Sequence, residues 1–192
     1  MEGRPAVAKG RKWQVILSGA GGQGLILAGT VLGEAAAVYG GLNATCSQSY
    51  GVASRGGFTK AEVVISPEEI PYPLVRRPDV IVALTQEAYD RQVSQVGADC
   101  LVLYDSEAVA RAGRTPGREV GLPLQETARK GGSAGNTNLV ALGALLGVTG
   151  LLPVECLNSA VSARFPGPDG ESRLRAVSDG WGLGVEVAAG GG

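Results

Sequence analysis

Residues 13–24, WQVILSGAGGQG, constrain what this chain can fold into more than any other stretch. Trp13 to Ser18 is a short apolar run rich in branched side chains, the pattern of a strand buried in a parallel sheet. It ends in Gly19-Ala20-Gly21-Gly22-Gln23-Gly24, which fits G-x-G-x-x-G. From Gly24 to Tyr39 the apolar positions Leu25, Leu27, Ala28, Val31, Leu32, Ala35 and Ala36 recur at helical spacing, and Gly40-Gly41 supply a stop. Strand, glycine turn and helix in that order open an α/β fold and set a helix N-terminus at the strand's end. In this reading Gly19 permits a sharp turn, Gly21 leaves room for a phosphate, and Gly24 lets helix and strand approach. A glycine turn that merely packs strand against helix fits the same letters.

The rest of the chain extends the pattern. Leu42 to Cys46 can form a short strand, Ser47 to Gly57 a polar loop, and Phe58 to Ser66 an alternating strand. Residues 67–78 hold four prolines and predict no regular element. Asp79 to Thr85 and Cys100 to Asp105 read as buried strands, separated by a helix from about Gln86 to Val96. A weak strand near Val120 leads to helices at 124–130, 137–148 and 153–165. This alternation predicts an open, mostly parallel, Rossmann-like α/β sheet with helices on both faces. We expect one domain over residues 1–192 with its core at about 13–165. The tail from Pro166 onward is Gly- and Pro-rich, and fraying is expected there.

What is missing narrows the chemistry. The chain contains no His, which excludes Ser-His-Asp and Cys-His catalysis and His-based zinc sites. Cys46, Cys100 and Cys156 form no CxxC pair and fall one short of a four-thiolate iron–sulfur site. All three read as buried small hydrophobes in a reducing compartment, with Cys46 of interest because it precedes an unusual loop. Seventeen basic and eighteen acidic residues leave a net charge of −1, so no excess field recruits nucleic acid or an anionic membrane. No apolar run reaches membrane-spanning length, and Met1 to Lys12 carries no secretory core, so a cytoplasmic location is expected.

Three constellations remain. The glycine loop lacks the acid that a ribose would need about twenty residues on, where Asn43-Ala44-Thr45-Cys46 stands, and it lacks the Lys-Ser/Thr ending of a triphosphate loop. The segment Gln48-Ser49-Tyr50-Gly51-Val52-Ala53-Ser54-Arg55-Gly56-Gly57 can offer a guanidinium beside backbone amides, suited to a phosphate or carboxylate. Arg55 pairing internally with Glu62 is the plainer alternative, and Tyr50 fits a lid or a packing aromatic equally. Asn136 is placed to cap the helix that follows, whose small residues Ala141, Gly143 and Ala144 suit close packing in the core or on a partner. Lys60, Arg76, Arg77 and Arg91 read as solvated.

In these same segments the chain resembles the gamma family of pyruvate, 2-oxoisovalerate and 2-oxoglutarate ferredoxin oxidoreductases. The resemblance rests on SGAGGQG, the SYG…RGG loop running into AEVVIS, DVIVALTQEAYD, LYDS and NTNLVALGALLG, in that order over about residues 13–165. It implies a non-catalytic gamma subunit of a complex that converts 2-oxoacid, coenzyme A and oxidised ferredoxin into acyl-CoA, carbon dioxide and reduced ferredoxin. Thiamine diphosphate, magnesium and iron–sulfur clusters are then expected on partner alpha, beta and ferredoxin-like delta subunits. No catalytic residue and no metal ligand is expected here. A share in coenzyme A binding is implied for Gly19, Gly21, Gly22, Gln23, Gly24, Ser49, Tyr50, Arg55, Gly56 and Gly57. The family loop commonly reads SYGPEARGG, whereas Val52, Ala53 and Ser54 stand here, so a proline and a carboxylate are gone. A stand-alone Rossmann-type oxidoreductase, an indolepyruvate beta-type subunit and a ligand-free architectural module are the competing readings.

Overall fold

The computed structural model describes residues 11–50, 57–94, 96–110, 112–113 and 115–190, with the Tyr50 side chain left out. The opening apolar run becomes β1 (Trp13–Ala20), followed by α1 (Leu25–Glu34). Helix α1 then loosens into one π-helical turn, Ala35–Tyr39, where Gly40 N donates to Ala35 O at 2.9 Å. Next come β2 (Asn43–Tyr50), β3 (Phe58–Ser66), β4 (Val80–Ala83), α2 (Gln86–Val93), β5 (Leu101–Asp105) and β6 (Arg118–Leu122). The chain continues through α3 (Leu124–Lys130), a 3-10 turn at Ala134–Asn136, α4 (Thr137–Thr149), α5 (Val154–Arg164) and α6 (Pro168–Gly190).

The six strands form one open sheet in the order β2-β3-β1-β4-β5-β6. β1, β4, β5 and β6 pair in parallel, while β3 runs antiparallel to both β1 and β2. Two-residue alternation assigns the faces. Val15, Leu17, Ala61, Val63 and Ile65 point to the face covered by α1 and α3–α6, and Ile16, Ile81 and Ala83 to the face covered by α2. The sheet is therefore mostly parallel with helices on both faces, as the alternation of segments predicts. Thr85 explains where α2 begins: extended at φ −147°, its side chain accepts from Ala88 N at 3.2 Å.

Two expectations need correction. β2 does not stop at Cys46 but runs to Tyr50, because Ser47–Tyr50 pair with Thr59–Glu62 of β3 across a hairpin. The expected frayed tail is instead the longest helix of the described residues, the 23-residue α6. Its glycines serve contact rather than flexibility. A Cβ on Gly180 would strike the Val140 carbonyl oxygen, and one on Gly184 would strike that of Ala144 and sit 2.9 Å from Gly147 Cα. On the facing side, a Cβ on Gly143 would strike the Val177 carbonyl. Helices α4 and α6 thus touch backbone to backbone, and the small residues of α4 are spent inside the fold. Their residues join one core with Leu139, Val140, Leu142, Leu145 and Val177 fully buried or nearly so.

This packing predicts opposite outcomes for two glycines of one helix. Gly180→Ala forces backbone against backbone and is expected to cost about 1–3 kcal/mol, a fall of roughly 2–12 °C in melting temperature. Gly182, whose Cβ would meet nothing within 4 Å, is expected to gain about 0.5–1 kcal/mol as Gly182→Ala. Thermal melts of both variants check the pair.

Candidate functional site at the carboxyl edge of the sheet

The parallel strands β1, β4, β5 and β6 all end at one edge of the sheet, and the β2–β3 hairpin turns there too. In an open α/β sheet that edge is where ligands bind. The glycine loop occupies it. Gly19 and Ala20 still belong to β1, paired with Thr59 and Phe58, and the turn itself is Gly21–Gln23. Gly22 and Gly24 take left-handed φ of 93° and 70°, the backbone region that costs glycine nothing.

Several loop amides are already committed. Gly21 N donates to Gly57 O at 2.8 Å, Gln23 N to Ala20 O at 3.2 Å, and Ala20 N to the Gln23 side-chain oxygen at 2.8 Å. The first helical bond of α1 is Ala28 N to Gly24 O at 2.9 Å. The amides of Leu25, Ile26 and Leu27 therefore precede any i→i−4 partner, and they carry the positive end of the helix. The preceding loop residues Gly22 and Gln23 line a cleft of about 200 Å³ together with Gln125, Ala134, Gly135 and Thr137. That is smaller than the roughly 300–1,000 Å³ that encloses a drug-sized ligand. It can hold one polar group of a larger molecule. The start of α3 is fixed nearby by fully buried Asp105, whose carboxylate accepts from Glu107 N at 2.9 Å and Gln125 N at 3.0 Å.

The glycines play different parts from those read in the sequence. Gly19 is a close-approach residue: a Cβ there would strike the Gln23 side-chain oxygen and lie 3.2 Å from Leu84 Cβ. Gly24 packs not on a strand but on Asn138 of α4, whose Nδ2 would sit 2.5 Å from a Cβ on residue 24. Gln23 braces the loop as well as lining the cleft. Gly57 joins the loop through its carbonyl, so the two candidate segments do meet. Arg55 and Gly56 lie outside the described residues, and Tyr50 is described only as the backbone end of β2, opposite Thr59.

Ser49 does not join this group. It lines a separate polar pocket with Ser47, Lys60, Glu62, Tyr72, Leu74 and Val75. There Lys60 pairs with Glu62 at 2.6 Å, with side chains only 26% and 12% exposed, so Lys60 is not the solvated cation expected. Arg76 lies over the Tyr72 ring at 4.2 Å and Arg91 over Phe58 at 4.8 Å, while Arg77 bonds Asp99 at 3.2 Å. Asn136 holds the cap position of α4, yet its side chain makes no cap bond and donates to Ser172 Oγ at 3.4 Å. The contact that sequence reasoning missed is that of Asn138, two positions on, which reaches across to Gly24 O at 2.9 Å.

Cys100 and Cys156 are buried as expected, but Cys46 is exposed on the edge strand. Its Sγ leans on α1, 3.1 Å from where a Cβ of Gly29 would stand, and that partial burial pushes the thiol pKa up. Burial, then the nearby charge of Asp79, push the Cys100 thiol up to about 11. Among the described residues no group of three or more His, Cys, Asp or Glu is placed to hold a metal, and no helix is long and apolar enough to cross a membrane.

A glycine loop and a helix N-terminus thus stand at the carboxyl edge of an open, mostly parallel α/β sheet. The chain belongs to the pyruvate ferredoxin/flavodoxin oxidoreductase family, whose model matches residues 14–182. It is 36% identical over 188 residues to the 2-oxoglutarate synthase subunit KorC of Methanocaldococcus jannaschii, covering 91% of this chain and 95% of that one. It is 37% identical to the ketoisovalerate oxidoreductase subunit VorA of Methanothermobacter thermautotrophicus, over 81% of this chain but only 32% of that longer protein. The gamma subunit of a keto/oxoacid ferredoxin oxidoreductase from Geobacter sulfurreducens superposes with a TM-score of 0.81 at 35% identity, over 91% of this chain and 99% of that one. An indolepyruvate oxidoreductase subunit IorB of Archaeoglobus fulgidus reaches only 24%, so the gamma-type reading fits better than the indolepyruvate one.

The raised Cys100 pKa gives a signed pH dependence. Its folded value of about 11 exceeds the ordinary 9.0, so the stabilisation is whole below pH 9 and is lost as pH climbs through 11. Denaturant unfolding at pH 8, 9, 10 and 11 is expected to show a steeper loss in the native chain than in Cys100→Ala.

Proposed function

We propose that this chain is the gamma-type subunit of a 2-oxoacid:ferredoxin oxidoreductase and that it holds part of coenzyme A in place while its partners do the chemistry. The reaction turns a 2-oxoacid, coenzyme A and oxidised ferredoxin into acyl-CoA, carbon dioxide and reduced ferredoxin. Match to KorC across 95% of its length supports 2-oxoglutarate as the 2-oxoacid. Thiamine diphosphate and magnesium would sit on alpha and beta partners, clusters on a ferredoxin-like delta partner, and the assembly in the cytoplasm. This chain, acting as one domain, would supply hydrogen-bond donors and shape.

The observation that carries the reading is the set of first-turn amides at Leu25, Ile26 and Leu27, which precede the bond from Ala28 N to Gly24 O and follow Gly22 and Gln23 of the cleft lining in the chain. A helix N-terminus favours an anion there by charge and by donors. Coenzyme A carries phosphates, and the cleft suits one such group rather than the whole molecule. Arg55 and Gly56, which precede Gly57 in sequence, are the further guanidinium and amide that the family resemblance assigns to coenzyme A. The chain has no His, and among the described residues no acid–base side chain lines the cleft. That disfavours a stand-alone dehydrogenase, as does the missing acid at Asn43–Cys46.

Gly22 provides the test, since a Cβ there meets nothing within 4 Å and φ +93° strains Ala at least as much as Asp, so any excess loss in the Asp variant is due to its charge. In the assembled complex, Gly22→Asp is expected to raise KM for coenzyme A about tenfold over Gly22→Ala. KM for the 2-oxoacid should be the same in both. Equal coenzyme A values in the two variants would contradict the proposal. The purified chain alone is expected to oxidise no 2-oxoacid.

A further inference from the structure

Asn138 connects two helix N-termini with one side chain. It is the second residue of α4 and is only 4% exposed. Its Oδ1 accepts from Leu139 N at 3.0 Å, which orients the amide group. Its Nδ2 then donates to Gly24 O at 2.9 Å, across 114 residues of sequence. Gly24 O is the acceptor that also closes the first turn of α1, from Ala28 N at 2.9 Å. Thr137, the residue before Asn138, lines the cleft together with Gly22 and Gln23. The same amide also demands glycine at position 24, because a Cβ there would stand 2.5 Å from Nδ2 in addition to the strain at φ +70°. Side chain and loop are thus fitted to each other from both sides.

We propose that Asn138 is a positioning residue for coenzyme A: by donating to Gly24 O it sets the first-turn amides of α1 at a fixed offset from α4, whose Thr137 lines the same cleft as Gly22 and Gln23. This rests on the reading that the cleft holds an anionic group of coenzyme A. The other ties of the loop, Gly21 N to Gly57 O and Ala20 N to Gln23 Oε1, hold it to the hairpin and to itself. Among the described residues, Asn138 ties the Gly24 carbonyl to α4. The role needs a donor, not simply volume. Asn138→Asp keeps the shape but sets an acceptor oxygen against the Gly24 carbonyl, and Asn138→Ala removes the donor without that repulsion.

The test uses the assembled complex, steady-state kinetics against coenzyme A and against the 2-oxoacid, and the Gly22→Asp and Gly22→Ala pair as reference. Asn138→Ala is expected to raise KM for coenzyme A about three- to tenfold. Asn138→Asp should raise it further, with kcat and KM for the 2-oxoacid within about twofold of the native complex in both. If the Gly22 pair separates while both Asn138 variants match the native KM, the positioning role is wrong and the coenzyme A reading stands. If the Gly22 pair does not separate, both fall together. A native KM in Asn138→Asp alone would mean the side chain only fills space, and a parallel rise in both KM values would mean general damage; either overturns the proposal. So would failure of both variants to assemble, which would make Asn138 a folding residue.

Discussion

Helix α4 is buried on nearly every side, and the arrangement of the rest follows from that constraint. Residues from Thr137 to Leu146 are all buried, so the helix has no solvent stripe and must find partners all round. α6 is held at backbone contact through Gly143, Gly147, Gly180 and Gly184. Any side chain larger than hydrogen at Gly143 or Gly180 would drive the two helices apart. Because α4 is pinned along its length, its first turn is pinned too, and Asn138 presents a fixed amide to the glycine loop. Core packing and site geometry are therefore one problem in this molecule.

The sheet and most helices were legible because their signals are local. β3 spans Phe58–Ser66 and α3 spans Leu124–Lys130, as the residue pattern predicts. The misreadings share a physical origin. β2 was read short because Ser47–Tyr50 is polar, yet an edge strand needs only one neighbour, and β3 supplies the pairing. The C-terminal glycines look like breakers by propensity, about 1 kcal/mol each against Ala. Gly180 and Gly184, four apart, instead line one helix face that only glycine lets approach α4, and tertiary packing overrides propensity.

The site was legible as a loop and not as a set of contacts. The strand–glycine–helix order places Gly19–Gly24 at the carboxyl edge, and the hairpin brings Gly57 to Gly21. The resemblance groups Ser49 with them, but it lines a separate pocket with Lys60 and Glu62. Asn138 gave no sign because its partner is 114 residues away. Its neighbour Asn136 drew attention as a cap and in the structure bonds Ser172. What the loop offers is backbone donors set by glycine geometry, which fits a family whose matched relatives are subunits of oxidoreductases. On the proposed reading this domain places a substrate and leaves bond making to its partners.

The proposed contact between the first-turn amides of α1 and coenzyme A is open to direct measurement. Hydrogen–deuterium exchange across residues 22–28 of the assembled complex, with and without coenzyme A, measures that contact directly. Slower exchange in this segment on adding coenzyme A is the predicted result, together with little change along α6. Unchanged exchange at 22–28, with coenzyme A bound and protection appearing only on other subunits, would contradict it.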